Sequence, residues 1–182
     1  MQGLDENARV IYIGSFSPSL FPSLHLGWLV IPQDLIAAFA AVRHMLDMYA
    51  APLMQAALAD FINQGHLARH IRRMREVYAE RRDALIEALR SEFQSPLEMF
   101  AGQAGTHLVT LLPKEMTDLE FCERAALEKL WLSPLSPCYV QNSLPGLMLG
   151  FAGATVDQIR NGVKQLRNLV ANHHSYPSSR AP

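Results

Sequence analysis

The stretch that most constrains this chain is Val10-Ile11-Tyr12-Ile13-Gly14-Ser15-Phe16-Ser17-Pro18-Ser19-Leu20-Phe21-Pro22-Ser23-Leu24-His25-Leu26-Gly27-Trp28-Leu29-Val30-Ile31-Pro32. Two short apolar, β-rich runs, 10–13 and 28–31, flank a loop of Ser, Pro and Gly, which reads as strand, polar loop, strand with the serines displayed between two buried strands. Such a loop can offer hydroxyls and backbone N–H groups to an anion, so a phosphate-binding role is chemically reasonable. The plainer alternative is a Pro-rich connection in an α/β sheet. Neither reading follows from spacing alone.

The residues carry more than their spacing. The segment from Tyr12 to Gly27 resembles the cofactor-lysine loop of fold-type I pyridoxal phosphate proteins, and most specifically the MocR branch of GntR-type transcriptional regulators, whose C-terminal domain is similar to a class I aminotransferase. The family pattern reads Gly, Thr or Ser, Phe, Ser, Lys, Thr or Ser, Leu, Phe, Pro, a small residue, Leu, Arg, Leu, Gly. Here the lysine position is Pro18 and the arginine position is His25. The lysine amine of the family forms the Schiff base with the cofactor, which an imino acid cannot do. The arginine clamps the cofactor phosphate with a permanent charge and a planar fork of donors, whereas histidine is shorter and mostly neutral near pH 7. The resemblance therefore implies pyridoxal phosphate as the family cofactor, no covalent attachment here, no catalytic residue, and a degenerate phosphate site of Ser15, Ser17 and His25.

The rest of the chain bounds the setting. Its 182 residues are 49% apolar and 18% charged with net charge −1, enough for one or two modest domains and without charge bias toward nucleic acid or membrane. Two cysteines, Cys122 and Cys138, and no signal-like or transmembrane run make a reducing, cytoplasmic setting the default, with no disulfide. Residues 1–9 show no helical period. In the resembled family a comparable stretch lies deep inside the large domain, so the winged-helix DNA-binding domain, the ring-stacking aromatic residue and the aspartate that pairs with the pyridine nitrogen are expected outside this chain.

Pro32-Gln33-Asp34 opens a helix to about Leu46, with Leu35, Ile36, Phe39, Ala40 and Val42 as its buried face. After a break near 48–52, a second helix spans about 53–63 and stops at Gly65. A long helix follows, roughly 66–93, with an apolar stripe of Leu67, Ile71, Met74, Tyr78, Leu85 and Leu89. Its arginines (69, 72, 73, 75, 81, 82, 90) interleave with Glu76, Glu80, Asp83 and Glu87, which predicts a solvated, salt-bridged face, with nucleic-acid binding as the alternative. Arg82 falls in line with the stripe and is expected to reach a buried or interfacial partner. His66 and His70 are spaced as helical metal ligands, but sequence sets no third ligand and no metal site is expected. Gly65-His66-Leu67-Ala68-Arg69-His70-Ile71-Arg72-Arg73-Met74-Arg75 with Tyr78 and Arg81-Arg82-Asp83 also resembles the MocR-type inter-domain helix.

From Ser95 the texture changes. Runs 97–101 and 107–112 around Gly102-Gln103-Ala104-Gly105 predict a hairpin. Thr117 with Glu120 forms a capping box for a helix over 118–129. Runs 131–135 and 147–152 predict two more strands, and 156–172 a closing helix, giving β-β-α-β-β-α, helices against a small sheet. The Ser- and Pro-rich end, 173–182, reads as disordered. Ala104-Gly105-Thr106-His107-Leu108-Val109, Leu132-Ser133-Pro134-Leu135-Ser136 with Tyr139, and Pro145 to Ala152 are similar to successive MocR-type segments. Many aminotransferases place a carboxylate-binding arginine in the last of these strands, where this chain has Met148. Cys122 and Cys138 read as packed cysteines, His107 as a hydrogen-bonded structural histidine, and Met45, Met48, Met54, Met74 and Met148 as core filler.

The fold class expected is thus mixed α/β and α+β: a C-terminal fragment of a fold-type I pyridoxal phosphate transferase, with a remnant of the large domain (1–64), a long inter-domain helix (65–94), a small α+β domain (95–172) and a tail. Three function classes follow: a noncatalytic part of a MocR-type regulator, a pyridoxal phosphate-dependent aminotransferase, or a dimerisation or interaction module completed by another chain. The apolar strands, with Ile11, Ile13, Trp28, Val30 and Ile31, predict that 3–47 self-associates, binds a separately encoded N-terminal half or is mobile, while 95–170 folds by itself.

Overall fold

The computed structural model describes residues 9–46, 51–93, 98–100 and 105–173. The chain divides between Arg73 and Met74 into two compact units. The expected break near 48–52, the hairpin tip and the C-terminal tail fall largely outside the described residues.

In the first unit, β1 (Tyr12–Ser15) and β2 (Gly27–Val30) pair antiparallel, with Tyr12 opposite Val30 and Gly14 opposite Trp28. β1 starts two residues later than the apolar run suggests. Its register is set by side chains: Tyr12 stacks on Trp28 at 5.1 Å, and the indole lies so close over Gly14 that any β-carbon there would collide with it. A bare backbone is needed under the ring. The apolar residues that predict a surface in need of a partner are exposed on these strands, Ile13 at 74%. A two-stranded ribbon has no second layer of its own to cover it.

A 3-10 turn, Gln33–Leu35, leads into α1 (Ile36–Leu46), and α2 (Pro52–Asn63) follows, closed by Gly65 at φ +74° as its composition predicts. Neither helix buries a residue. The face expected to be buried on α1 is therefore half-buried at best, and Met45 and Met54 are exposed rather than core filler. Helical spacing marks which side can be covered, but burial needs a covering layer.

α3 (His66–Glu92) is the long helix, and it runs across the boundary between the units. Only its second half buries an apolar stripe, Ala84, Leu85, Ala88 and Leu89. The expected ladder of salt bridges does not form: among the described residues its ion pairs are Arg82–Asp83 at 3.0 Å and Glu92–Arg167 at 3.1 Å. Arg82 turns to its neighbour Asp83 instead of a buried partner. Arg81 donates to the Ala152 carbonyl.

The second unit is an antiparallel sheet in the order β3-β4-β6-β5, made of β3 (Met99–Phe100), β4 (His107–Leu111), β5 (Ser133–Pro134) and β6 (Gly146–Gly150). α4 (Asp118–Leu127) and α5 (Val156–His173) complete the β-β-α-β-β-α order. β4 alternates, and β6 does so from Leu147 onward. Leu108, Thr110, Leu147 and Leu149 are buried, and the three leucines belong with Leu85, Leu89, Phe121, Ala125, Ile159, Val163, Leu166 and Leu169 to one core. Each fully buried Leu or Phe contributes about 1.5–3 kcal/mol of transfer free energy, so this unit has a real core where the first has almost none. β5 is shorter than expected because Pro134 has no N–H to extend a ladder, which confines such a strand to the sheet edge.

The helix caps also differ from expectation. Thr117 stands at the N-cap of α4 but makes no side-chain cap bond. The reciprocal box lies at α5: Thr155 N–H donates to Gln158 Oε1 at 2.9 Å, and Gln158 N–H donates to Thr155 Oγ1 at 3.3 Å. At the end of α4, Lys129 takes φ +63°, with Leu130 N–H bonded to the Ala125 carbonyl and Lys129 N–H to that of Ala126. That is a Schellman closure made without glycine.

Candidate functional site

The serine loop leaves β1 at Ser15 and returns at β2. Phe16 N–H donates to the Leu26 carbonyl at 3.0 Å, and the Phe16 carbonyl accepts from both Ser19 N–H at 3.1 Å and Leu20 N–H at 2.9 Å. Pro18 sits inside that turn, exposed, where its missing N–H costs nothing because the closing bonds come from Ser19 and Leu20. A 3-10 turn, Pro22–Leu24, follows, anchored by buried Leu24, whose N–H donates to Phe21 at 3.1 Å. His25 then adopts a left-handed conformation, φ +47°, with an exposed side chain.

This geometry decides what the loop can offer an anion. The N–H groups of Phe16, Ser17, Ser19, Leu20 and Leu24 are engaged inside the loop, so these five are not the ones that meet an anion. Hydroxyls remain. Ser17 N–H donates to Ser15 Oγ at 3.3 Å, and a hydroxyl oxygen that accepts one bond still has its own proton to donate. Ser15 is thereby oriented as a donor at the mouth of the loop.

One residue that holds the loop was not read as doing so from sequence. His70 Nε2 lies 2.9 Å from the Ser19 carbonyl, and since a carbonyl only accepts, the ring carries its proton on Nε2. Sequence marks His70 only by its spacing from His66. His66 itself engages Gln64 Oε1 at 3.1 Å, lies 3.4 Å from an Arg69 nitrogen and packs against Phe61. The two histidines therefore do different jobs, and no cluster of three His, Cys, Asp or Glu occurs among the described residues.

The other chemistry-bearing residues belong to the second unit. Met148 is half-buried on β6. Cys122 is buried, and burial, helped by the charge of Asp118, pushes its thiol up to about 11. Cys138 is exposed, contrary to a packed reading, because it ends the 3-10 turn Ser136–Cys138 on the open side of the sheet. His107 is exposed and bonded to the Thr106 hydroxyl at 3.2 Å, as a structural histidine would be. Asp118 is 2% exposed yet fully partnered: Leu135, Ser136 and Gly146 N–H groups donate to Oδ2 at 3.0, 2.7 and 3.2 Å, and the Ser136 hydroxyl donates to Oδ1 at 2.7 Å. No helix among the described residues is long and apolar enough to cross a membrane.

Residues 1–166 match the family model described as aminotransferase class I and II. The chain is 38% identical over 169 residues to the probable rhizopine catabolism regulatory protein MocR of Rhizobium meliloti, covering 92% of this chain and 34% of that protein. It is 35% identical over 172 residues to the uncharacterized HTH-type transcriptional regulator YhdI of Bacillus subtilis, 94% of this chain and 37% of that one. Among solved structures, the multiple substrate aminotransferase of Thermococcus profundus superposes with a TM-score of 0.83 at 27% identity, and the kynurenine aminotransferase of Pyrococcus horikoshii, solved in complex with PMP, with 0.85 at 26%. Each superposition covers 94% of this chain and 43% of the other. The chain spans about a third of the length of the curated relatives it matches. On this match and this fold, it belongs to the aminotransferase class I and II family and forms part of the fold-type I architecture.

Proposed function

We propose that this chain is the aminotransferase-like part of a MocR-type regulator and that its site does not perform Schiff-base chemistry. The observation that carries the reading is Pro18. Pyridoxal phosphate, when bound in the family, supplies an aldehyde that a primary amine must hold, and the family position for that amine is a proline whose nitrogen lies in the peptide chain. The three lysines, Lys114, Lys129 and Lys164, belong to the second unit, and the loop has no amine. The residues present therefore do not fit a covalently held cofactor. They fit, at most, an oxyanion met by the Ser15 and Ser17 hydroxyls, with His25 a weak substitute for a guanidinium.

Borohydride reduction of the protein with added pyridoxal phosphate, followed by peptide mass mapping, tests this. No pyridoxyl group on the loop and no transamination of amino-acid donors are expected. Stoichiometric labelling of Lys114, Lys129 or Lys164 with turnover at low cofactor concentration would instead favour the aminotransferase reading.

A specific observation also supports an interaction module. The first unit exposes Ile13, Trp28, Leu29 and Val30 on a two-stranded ribbon, with Ile11 just before it, an apolar surface and strand edge of the kind that partners cover. Sedimentation of the dilute chain, alone and with a separately expressed N-terminal half of the protein, distinguishes a self-associated form from a completed one. A clean monomer that ignores that half would remove this reading.

A further inference from the structure

The open face of the second unit's sheet carries a group of donors that the cofactor chemistry does not use. We propose that Cys138 Sγ and Met148 Sδ, with His107 Nε2 as third donor, form a site for a soft monovalent cation of the Cu(I) type. The two sulfurs are 4.0 Å apart. Two sulfur donors each about 2.3 Å from a shared ion stand about 4.0 Å apart when the angle at the ion is near 120°, as in a three-donor planar site. Thiolate and thioether are the side-chain donors that select Cu(I) over harder ions.

The backbone holds both sulfurs in place. Met148 is paired on both sides, to Val109 and to Ser133. Cys138 N–H bonds the Leu135 carbonyl at 2.9 Å, and Leu135 and Ser136 are in turn held by the Asp118 carboxylate. A pre-set pair of donors loses little freedom when an ion arrives.

His107 comes from the register. It lies opposite Gly150, and by strand alternation it shares a face with Met148, which is opposite Val109. Diagonal neighbours of this kind are about 7–8 Å apart, somewhat less at Cβ, within reach of an imidazole and a methionine. Gly150 leaves the space over which the ring lies: His107 Nε2 is 3.6 Å from where a Gly150 β-carbon would sit. The Thr106 hydroxyl engages Nδ1, which leaves Nε2 for the ion and orients the ring. On binding, the Cys138 thiol gives its proton to water, and no electron changes hands. Cys122, buried in the core, is no part of the site.

The test is anaerobic titration of the full chain with Cu(I) against bicinchoninate, a coloured competing chelator. One Cu(I) withdrawn per chain is expected. Cys138→Ser weakens binding by about a hundredfold, and Met148→Leu and His107→Gln each by about tenfold, within the roughly 10–100-fold that loss of even an outer-shell partner costs. Cys122→Ala leaves it unchanged. Failure to withdraw Cu(I), or retention of wild-type affinity by both Cys138→Ser and Met148→Leu, overturns the proposal. Circular dichroism of each variant separates loss of a donor from loss of fold.

Discussion

Asp118 accepts a 2.7 Å hydrogen bond from the Ser136 hydroxyl while its other oxygen takes three backbone N–H groups, so the first residue of α4 anchors the segment between β5 and β6. Asp118→Ala takes the acceptor from the Ser136 and Gly146 N–H groups, while Leu135 N–H keeps the Gly146 carbonyl at 2.9 Å, and is expected to cost about 2–4 kcal/mol. Urea unfolding followed by far-ultraviolet circular dichroism measures it.

The same carboxylate predicts an acid dependence. Burial raises its pKa, but the Ser136 hydroxyl and the N–H groups of Ser136, Gly146 and Leu135 outweigh burial and hold it below the ordinary 3.8. A carboxyl depressed in the folded state stabilises fully above its unfolded value and loses that contribution as pH falls through the folded one. Stability of the wild type should therefore fall below about pH 4 more steeply than that of Asp118→Asn, which cannot titrate. Acid titrations of the two proteins with the same slope below about pH 4 would refute this.

Thr110 is wholly buried on β4, and its hydroxyl has no hydrogen-bond partner. Replacing an unsatisfied buried hydroxyl by a methyl of the same shape removes a desolvation cost, so Thr110→Val should be neutral or stabilise by about 1 kcal/mol. A midpoint shifted to lower urea would mean that the hydroxyl has a partner in solution.

The two threonine caps make a matched pair. Thr155→Ala breaks the reciprocal box of α5 and should cost about 1 kcal/mol, whereas Thr117→Ala should cost a few tenths, roughly the level of an uncapped exposed site. Equal losses would show that Thr117 caps its helix after all.

His70→Phe removes the strut on the Ser19 carbonyl and should speed hydrogen exchange of the Ser19 and Leu20 amides by about tenfold, while leaving the second unit untouched. Unchanged exchange would show that the loop's internal bonds suffice.

What was legible in the chain follows from which forces act locally. The strand–loop–strand unit, the order of helices, the glycine stop at Gly65 and the small β-β-α-β-β-α unit all rest on short-range chemistry and emerged with small shifts at their ends. The family followed from residue words, not from physics. Burial was less readable, because Ile36, Val42 and Met45 have core spacing but no layer above them. The end of α4 was missed by two residues because Lys129 occupies a left-handed position where glycine is the usual signal. A capping-box pattern occurs at both 117–120 and 155–158, but only the second closes, while at the first the Asp118 carboxylate accepts from Leu135, Ser136 and Gly146. His70 was invisible because its partner is a backbone carbonyl 51 residues away in sequence.

The indole stacked on Tyr12 above Gly14 has a practical consequence. The chain has two tryptophans, and each unit holds one: Trp28 in the first and Trp131, 83% exposed, in the second. Trp131 already emits from water, so with Trp131→Phe the remaining emission reports only whether the ribbon that holds Trp28 against Tyr12 is formed. Far-ultraviolet circular dichroism of the same variant follows the helices, so the two signals together record whether the two units melt as a single body or in succession.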